Sequence, residues 1–222
     1  MKRYVYNIAI CAVALISLVL TPMQALAQSG YDSYYQIESQ QRRVHTEWAI
    51  GIGGTYTGIT SVSTNAVKIS PRYGIHAHLD MAVCIGRNFA IETEIIYEGG
   101  SIDTRMNDFE RRIKTRNVDI PLLLSLRIIN NRIRLSAGPI FNVMSNGEYT
   151  QNSNTMFFGG ISPTWNVAAG IGIRLSRHFL IEARYIHPLS QTHNQFGGTE
   201  QNPGMEFDIQ AYKVTAGVAI LF

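Results

Sequence analysis

Cysteine is nearly absent from this chain. Cys11 lies in an apolar N-terminal run and Cys84 stands alone beyond it, so once that run is removed no intramolecular disulfide can form. Charge is scarce as well: Asp, Glu, Lys and Arg make up 16% of the residues, against roughly 25% in ordinary soluble domains. The formal net charge is +3, and losing Lys2 and Arg3 leaves +1. So small a charge gives no electrostatic basis for nucleic-acid binding. Outside the N-terminus no run approaches the roughly 18 apolar residues of a spanning helix. There is no phosphate-binding glycine loop either, because Gly51, Gly53 and Gly54 fall within a strand pattern.

What is present begins with an export signal. Lys2 and Arg3 precede an uncharged apolar stretch, Ile8 to Leu20, and Ala25-Leu26-Ala27 then supplies small residues at the −3 and −1 positions. This predicts a signal peptide over 1–27, cleaved between Ala27 and Gln28. The apolar stretch is shorter than the roughly 20 residues of a membrane anchor. Residues 28–43 are polar and aperiodic and are expected to form a flexible periplasmic leader.

From Val44 onward the hydropathy alternates residue by residue, as it does when strand side chains face opposite sides of a sheet. Tyr212, Val214, Ala216, Val218, Ile220 and Phe222 share one parity, and Lys213, Thr215, Gly217, Ala219 and Leu221 the other. Seven further segments behave alike, starting near Glu47, Tyr73, Phe89, Val118, Arg132, Trp165 and Phe179. Within Asn117 to Phe141, a turn at Asn130-Asn131 makes Ile120 meet Phe141, Leu124 meet Ala137 and Leu126 meet Leu135. The opposite face then pairs Ser125 with Ser136 and Arg127 with Arg134. A register that sorts both faces so cleanly predicts a hairpin, and two asparagines suit a type I′ turn. Pro121 and Pro139 lie at nearly one height across it, which predicts a local break in the ladder.

Connections alternate short and long. Gly86-Arg87-Asn88, Asn130-Asn131 and Ser176-Arg177-His178 are tight, whereas Gly58 to Pro71, Gly99 to Arg112, Ser145 to Gly160 and Ser190 to Pro203 are long and polar. The apolar faces are almost free of charge over the roughly nine to eleven residues of a tilted spanning strand. The expected fold is therefore all-β: an eight-stranded antiparallel up-and-down transmembrane β-barrel over 44–222, with short periplasmic turns and longer outer loops. A soluble β-barrel would place its charges outside, whereas here they fall on the face with Gly, Ala and Ser.

That assignment points Glu47, Asp80, Glu92, Glu94, Glu98, Asp119 and Glu182 into the lumen, together with Arg127, Arg134, Arg174, Arg184 and Lys213. In so narrow a barrel they are expected to form a structural salt-bridge network rather than an ion path.

Asn117-Val118-Asp119-Ile120-Pro121-Leu122-Leu123-Leu124 resembles the "IPLLL" strand of the PorT-like outer-membrane β-barrel family of Bacteroidetes-type bacteria. Leu135-Ser136-Ala137-Gly138-Pro139 is similar to its "AGP" strand, and Ile181-Glu182-Ala183-Arg184-Tyr185 to its "E-x-R-Y" strand. The resemblance covers most of Trp48 to Phe222 and implies an outer-membrane barrel of a Gram-negative envelope. The founding member is tied to type IX secretion. Its longer N-terminal pattern is not seen here, which leaves a link to protein secretion open. The terminal Phe222 resembles the signal read by the barrel-assembly machinery.

Two constellations bear on chemistry. His187, Ser190, His193 and Glu200 sit where a strand meets an outer loop, as a lipid A deacylase's Ser-His-Glu set does. The His-x-Ser-Asn motif of those enzymes is absent, and residues three apart on a strand face opposite ways. A polar outer loop is the simpler reading. His76 and His78 share a face with Asp80, a spacing open to a metal, but their inward direction and the nearby glutamates favour lumen packing. The expected protein has no cofactor and no catalysis. It contacts outer-membrane lipid and binds an envelope protein partner through its outer loops; a lipid-modifying hydrolase and a small pore are the alternatives.

Overall fold

The computed structural model describes residues 44–64, 66–106, 109–151, 154–196 and 205–222. The signal peptide, its Ala27–Gln28 junction, the leader and Glu200 lie outside the described residues. Their regular structure is all strand: β1 (His45–Val62), β2 (Val67–Ser70), β3 (Tyr73–Ile85), β4 (Phe89–Met106), β5 (Phe109–Ile128), β6 (Ile133–Gln151), β7 (Asn154–Gly159), β8 (Trp165–Arg174), β9 (Phe179–Pro188), β10 (Thr192–Phe196) and β11 (Met205–Leu221). Eight of these close an antiparallel ring in the order β1-β3-β4-β5-β6-β8-β9-β11, and the β11–β1 pairing seals it from Ala49↔Leu221 to Val62↔Ile209. Closure leaves no unpaired edge in the spanning wall, which is what lipid requires of a sheet.

The hairpin register is the expected one, with Ile120↔Phe141, Leu124↔Ala137, Arg127↔Arg134 and Ile128↔Ile133. Each proline lies at a gap in one of the two ladders of β5. The β4–β5 ladder skips Ile120 and Pro121, and the β5–β6 ladder skips Leu122 and Leu123 opposite Gly138 and Pro139. Each gap lies on the side where a proline has no N–H to give. At the second, Gly138 approaches β5 so closely that a Cβ there would stand 2.2 Å from the Leu122 carbonyl oxygen. The turn also differs from expectation. Asn130 and Asn131 have positive φ, but so does Ile129, at 53°.

Along the spanning segment apolar side chains face outward. Ile50, Ile52, Leu79, Ile95, Leu124, Ile171, Val218 and Ile220 are all exposed. Aromatic residues bound this band. Trp48, Phe89 and Phe179 stand at the end with the short turns; Tyr56, Tyr73, Tyr185, Tyr212 and the edge-to-face pair Phe141–Trp165 (5.0 Å) stand at the other. Trp48 and Tyr56 are eight residues apart on β1, about 26 Å of strand. A tilt of about 40° reduces that to about 20 Å of height, close to the ~25 Å apolar band of outer-membrane barrels.

Beyond the outer aromatic ring the structure corrects one expectation. The long connections are mostly paired strand, not polar loop. β1, β4, β5, β6 and β11 run on past the membrane, while β2 pairs with β4, β7 with β6, and β10 with both β7 and β11. These segments form a collar whose polarity is inverted. Val67, Ile102, Ile113, Tyr149, Phe158, Ile161, Phe207 and Ile209 are buried inside it, and Arg105, Arg112, Lys114 and Arg116 are exposed on it. In water the hydrophobic effect turns apolar side chains inward; in lipid the same strands turn them outward.

Candidate functional site

The β3–β4 ladder lays the lumen out in layers. Rising from the short-turn end, the paired residues are Cys84↔Ala90, Ala82↔Glu92, Asp80↔Glu94, His78↔Ile96 and His76↔Glu98. All sit on the inward parity, because alternation puts every second side chain there.

At the lowest layer Glu47 gathers three arginines. Arg127 Nη1 donates to its Oε2 at 2.7 Å and Arg134 Nη2 to the same atom at 2.9 Å, while Arg174 Nη1 reaches Oε1 at 3.5 Å. Arg127 also donates to Glu92 at 3.3 Å. This is how Arg127 and Arg134, directly opposite each other on β5 and β6, are tolerated: like charges share anions. In the middle layer Arg184 forms a bidentate pair with Glu94, Nη1 to Oε2 at 2.9 Å. Above it Lys213 Nζ donates to Glu98 at 2.7 Å and Asp119 at 3.2 Å, and Asn142 donates to Asp119 at 2.6 Å. A polar, uncharged layer follows, in which Ser145 Oγ donates to Asn117 and accepts the backbone N–H groups of Ile161 and Ser162. Charge separation across the barrel thus joins non-adjacent strands: β1 to β5, β6 and β8, β4 to β9, and β11 to β4 and β5.

These contacts fill the lumen. The void among Thr55, His76, His78, Glu94, Glu98, Asp119, Glu182 and Arg184 is about 10 Å³, room for roughly one water.

His76 and His78 stack at 5.7 Å. Asp80, grouped with them by sequence spacing, is not in their cluster. The third candidate ligand comes from Glu182 of β9, and the donor atoms of His76, His78 and Glu182 lie within 4.8 Å of one another. Asp80 follows the strand down to the next layer, whereas Glu182 reaches across, a juxtaposition that only ring closure creates. The floor beneath the imidazoles is glycine: a Cβ on Gly51 would stand 2.4 Å from the His78 ring and one on Gly53 2.6 Å from the His76 ring. Inward-facing glycines opposite histidines are the sequence signal that would have marked this pocket.

The other constellation is dispersed. His187 lies on the outward parity of β9 beside Tyr185, 3.5 Å from its hydroxyl. His193, on β10 in the collar, is 3.0 Å from Asp208 and 3.7 Å from Glu206. Among the described residues no hydrogen bond joins Ser190 to either histidine.

The sequence signature of the outer membrane protein beta-barrel domain matches residues 36–194. No curated protein matches the chain. Among solved structures it is similar to the outer membrane protein OprG from Pseudomonas aeruginosa, at 11% identity and a TM-score of 0.54, covering 82% of this chain and 98% of that one. Ail, the attachment invasion locus protein of Yersinia pestis, aligns at 10% identity and a TM-score of 0.47, covering 81% and 99%. At these identities the likeness to OprG concerns the fold alone. The signature spans well over half of the sequence, and the chain belongs to the outer membrane protein beta-barrel domain family.

Proposed function

We propose that this protein is a closed, non-catalytic outer-membrane barrel that holds a rigid collar outside the bilayer and binds an anionic envelope partner with it. The observation that carries this reading is the collar's division of labour. Its interior is packed with apolar side chains, while Lys68, Arg105, Arg112, Lys114 and Arg116 crowd the outer face of β2, β4 and β5, with Arg72 exposed just after β2. The acidic residues among them, Asp103, Glu110 and Glu148, are fewer. A basic face of that kind steers and holds acidic groups, and a lumen crossed by ion pairs supports binding over passage.

Partner capture tests it. Crosslinking in native membranes, followed by mass spectrometry, is expected to recover an acidic envelope component from the wild type and at least tenfold less from an Arg112→Glu/Lys114→Glu/Arg116→Glu variant. Equal recovery would refute the proposal. A link to protein secretion, the finer implication of the PorT-like resemblance, is decided by the identity of that partner. For the hydrolase alternative, Ser190→Ala and His193→Ala should leave lipid A unchanged by mass spectrometry; among the described residues no hydrogen bond joins Ser190 to a histidine, which supports the non-catalytic reading.

A further inference from the structure

We propose that the lumen binds a divalent transition-metal ion, held by His76 and His78 of β3 and Glu182 of β9. Charge points to it first. Among the described residues the lumen carries Glu47, Asp80, Glu92, Glu94, Glu98, Asp119 and Glu182, two more carboxylates than its cations Arg127, Arg134, Arg174, Arg184 and Lys213. The excess is local. Glu47, Glu92, Glu94, Glu98 and Asp119 each contact an arginine or Lys213, whereas the one ion-pair contact of Glu182 among the described residues is His78. Asp80 is 8% exposed, has no hydrogen bond or ion pair among the described residues, and keeps Oδ1 buried without a partner. Unpaired carboxylates in a closed interior are costly; a dication on Glu182 offsets its charge directly, with Asp80 one layer below.

Geometry agrees. His78 Nε2 and Glu182 Oε1 are 3.2 Å apart. Two ligands about 2.0–2.1 Å from a tetrahedral ion are separated by about 3.3 Å. The three ligating atoms share a space no wider than 4.8 Å, and the adjoining void of about 10 Å³ suits a water as fourth ligand. The Thr55 hydroxyl, 3.1 Å from His76 Nδ1, is the kind of outer contact that orients a ligating imidazole. A Cβ on Gly51 or Gly53 would strike the rings, so these glycines of β1 leave the space that both imidazoles occupy. Two imidazoles and one carboxylate select zinc-like ions over magnesium or calcium, which prefer all-oxygen shells. Since β1 and β11 lie between β3 and β9 in the ring, the ion ties the barrel across a chord.

The test is to fold untagged protein in detergent with Zn2+, then desalt it. One Zn2+ per chain should be retained, and Co2+ in its place should give the visible absorption of a nitrogen-ligated, low-coordinate ion. Glu182→Gln should weaken retention at least tenfold, and His76→Gln/His78→Gln should abolish it. Wild type that retains no Zn2+ would overturn the proposal, as would equal retention by the double variant. Heat-modifiable gel migration reports folding. If the double variant does not fold, the wild-type Co2+ spectrum decides, and absence of the visible band sinks the site.

Discussion

At Ile129 the backbone takes φ 53°, a left-handed conformation that costs a β-branched residue about 1–2 kcal/mol. The side chain is exposed, so packing does not offset the cost. Ile129→Asn should therefore raise unfolding free energy by about 1 kcal/mol, read from urea titration in detergent. The opposite sign is expected where a buried pair is broken. Arg184→Met leaves Glu94 charged and unpaired, at a cost of about 3–5 kcal/mol, and adding Glu94→Gln should restore most of it. A pair that recovers nothing would mean that Arg184 acts through packing alone. On the collar, Asp103 contacts Arg72 and Arg112. Partial burial works against its ionisation, but hydrogen bonds and charge from the two arginines outweigh that and hold its carboxyl below the ordinary value of 3.8. A depressed carboxyl stabilises the fold above its unfolded value, and the contribution is lost as pH falls through the folded one. Acidification from about pH 5 should loosen the β2–β4 edge in wild type more than in Asp103→Asn, measured as amide exchange at Lys68 to Ser70.

The spanning strands were legible because lipid imposes one rule along each of them: no charge on one parity. Trp48 to Tyr56, Phe89 to Tyr97 and Tyr212 to Phe222 obey it. The same chain above the membrane obeys the reverse rule, and a search for an uncharged outward face passes over it. In β5, Ile113, Thr115 and Asn117 continue the inward parity of Asp119 without a break, while Arg112, Lys114 and Arg116 take the outward one. Alternation persists there; only its sense inverts, and so these stretches read as polar loops. Asp80's place next to His78 in sequence was likewise legible, but Glu182's was not, because it depends on how the ring closes. The collar is expected to be a true core. Phe158, fully buried beside Phe207 at 5.8 Å, should cost about 3–5 kcal/mol when replaced by Ala, and the loss should open β7 and β10 to protease while the membrane band stays protected.

For the whole molecule, three barriers lie in series along the axis: the arginines on Glu47, the Glu94–Arg184 and Lys213 contacts, and the apolar collar. Barriers in series pass current only when all are removed, since the tightest sets the conductance. Wild type should therefore be silent in planar bilayers, and so should Glu47→Ala, even though that change removes the anion shared by three guanidinium groups near the periplasmic mouth. Arg184→Ala should also be silent, because Lys213 and the collar still close the path above it. Conductance is expected only when the Glu47, Arg184, Lys213 and Phe158 positions are all truncated to Ala, and its anion preference should then follow the arginines of the lower layer. Steady channels from Glu47→Ala alone would show that a single layer of charge seals the barrel. In that case the collar's core contributes stability and presentation but nothing to closure.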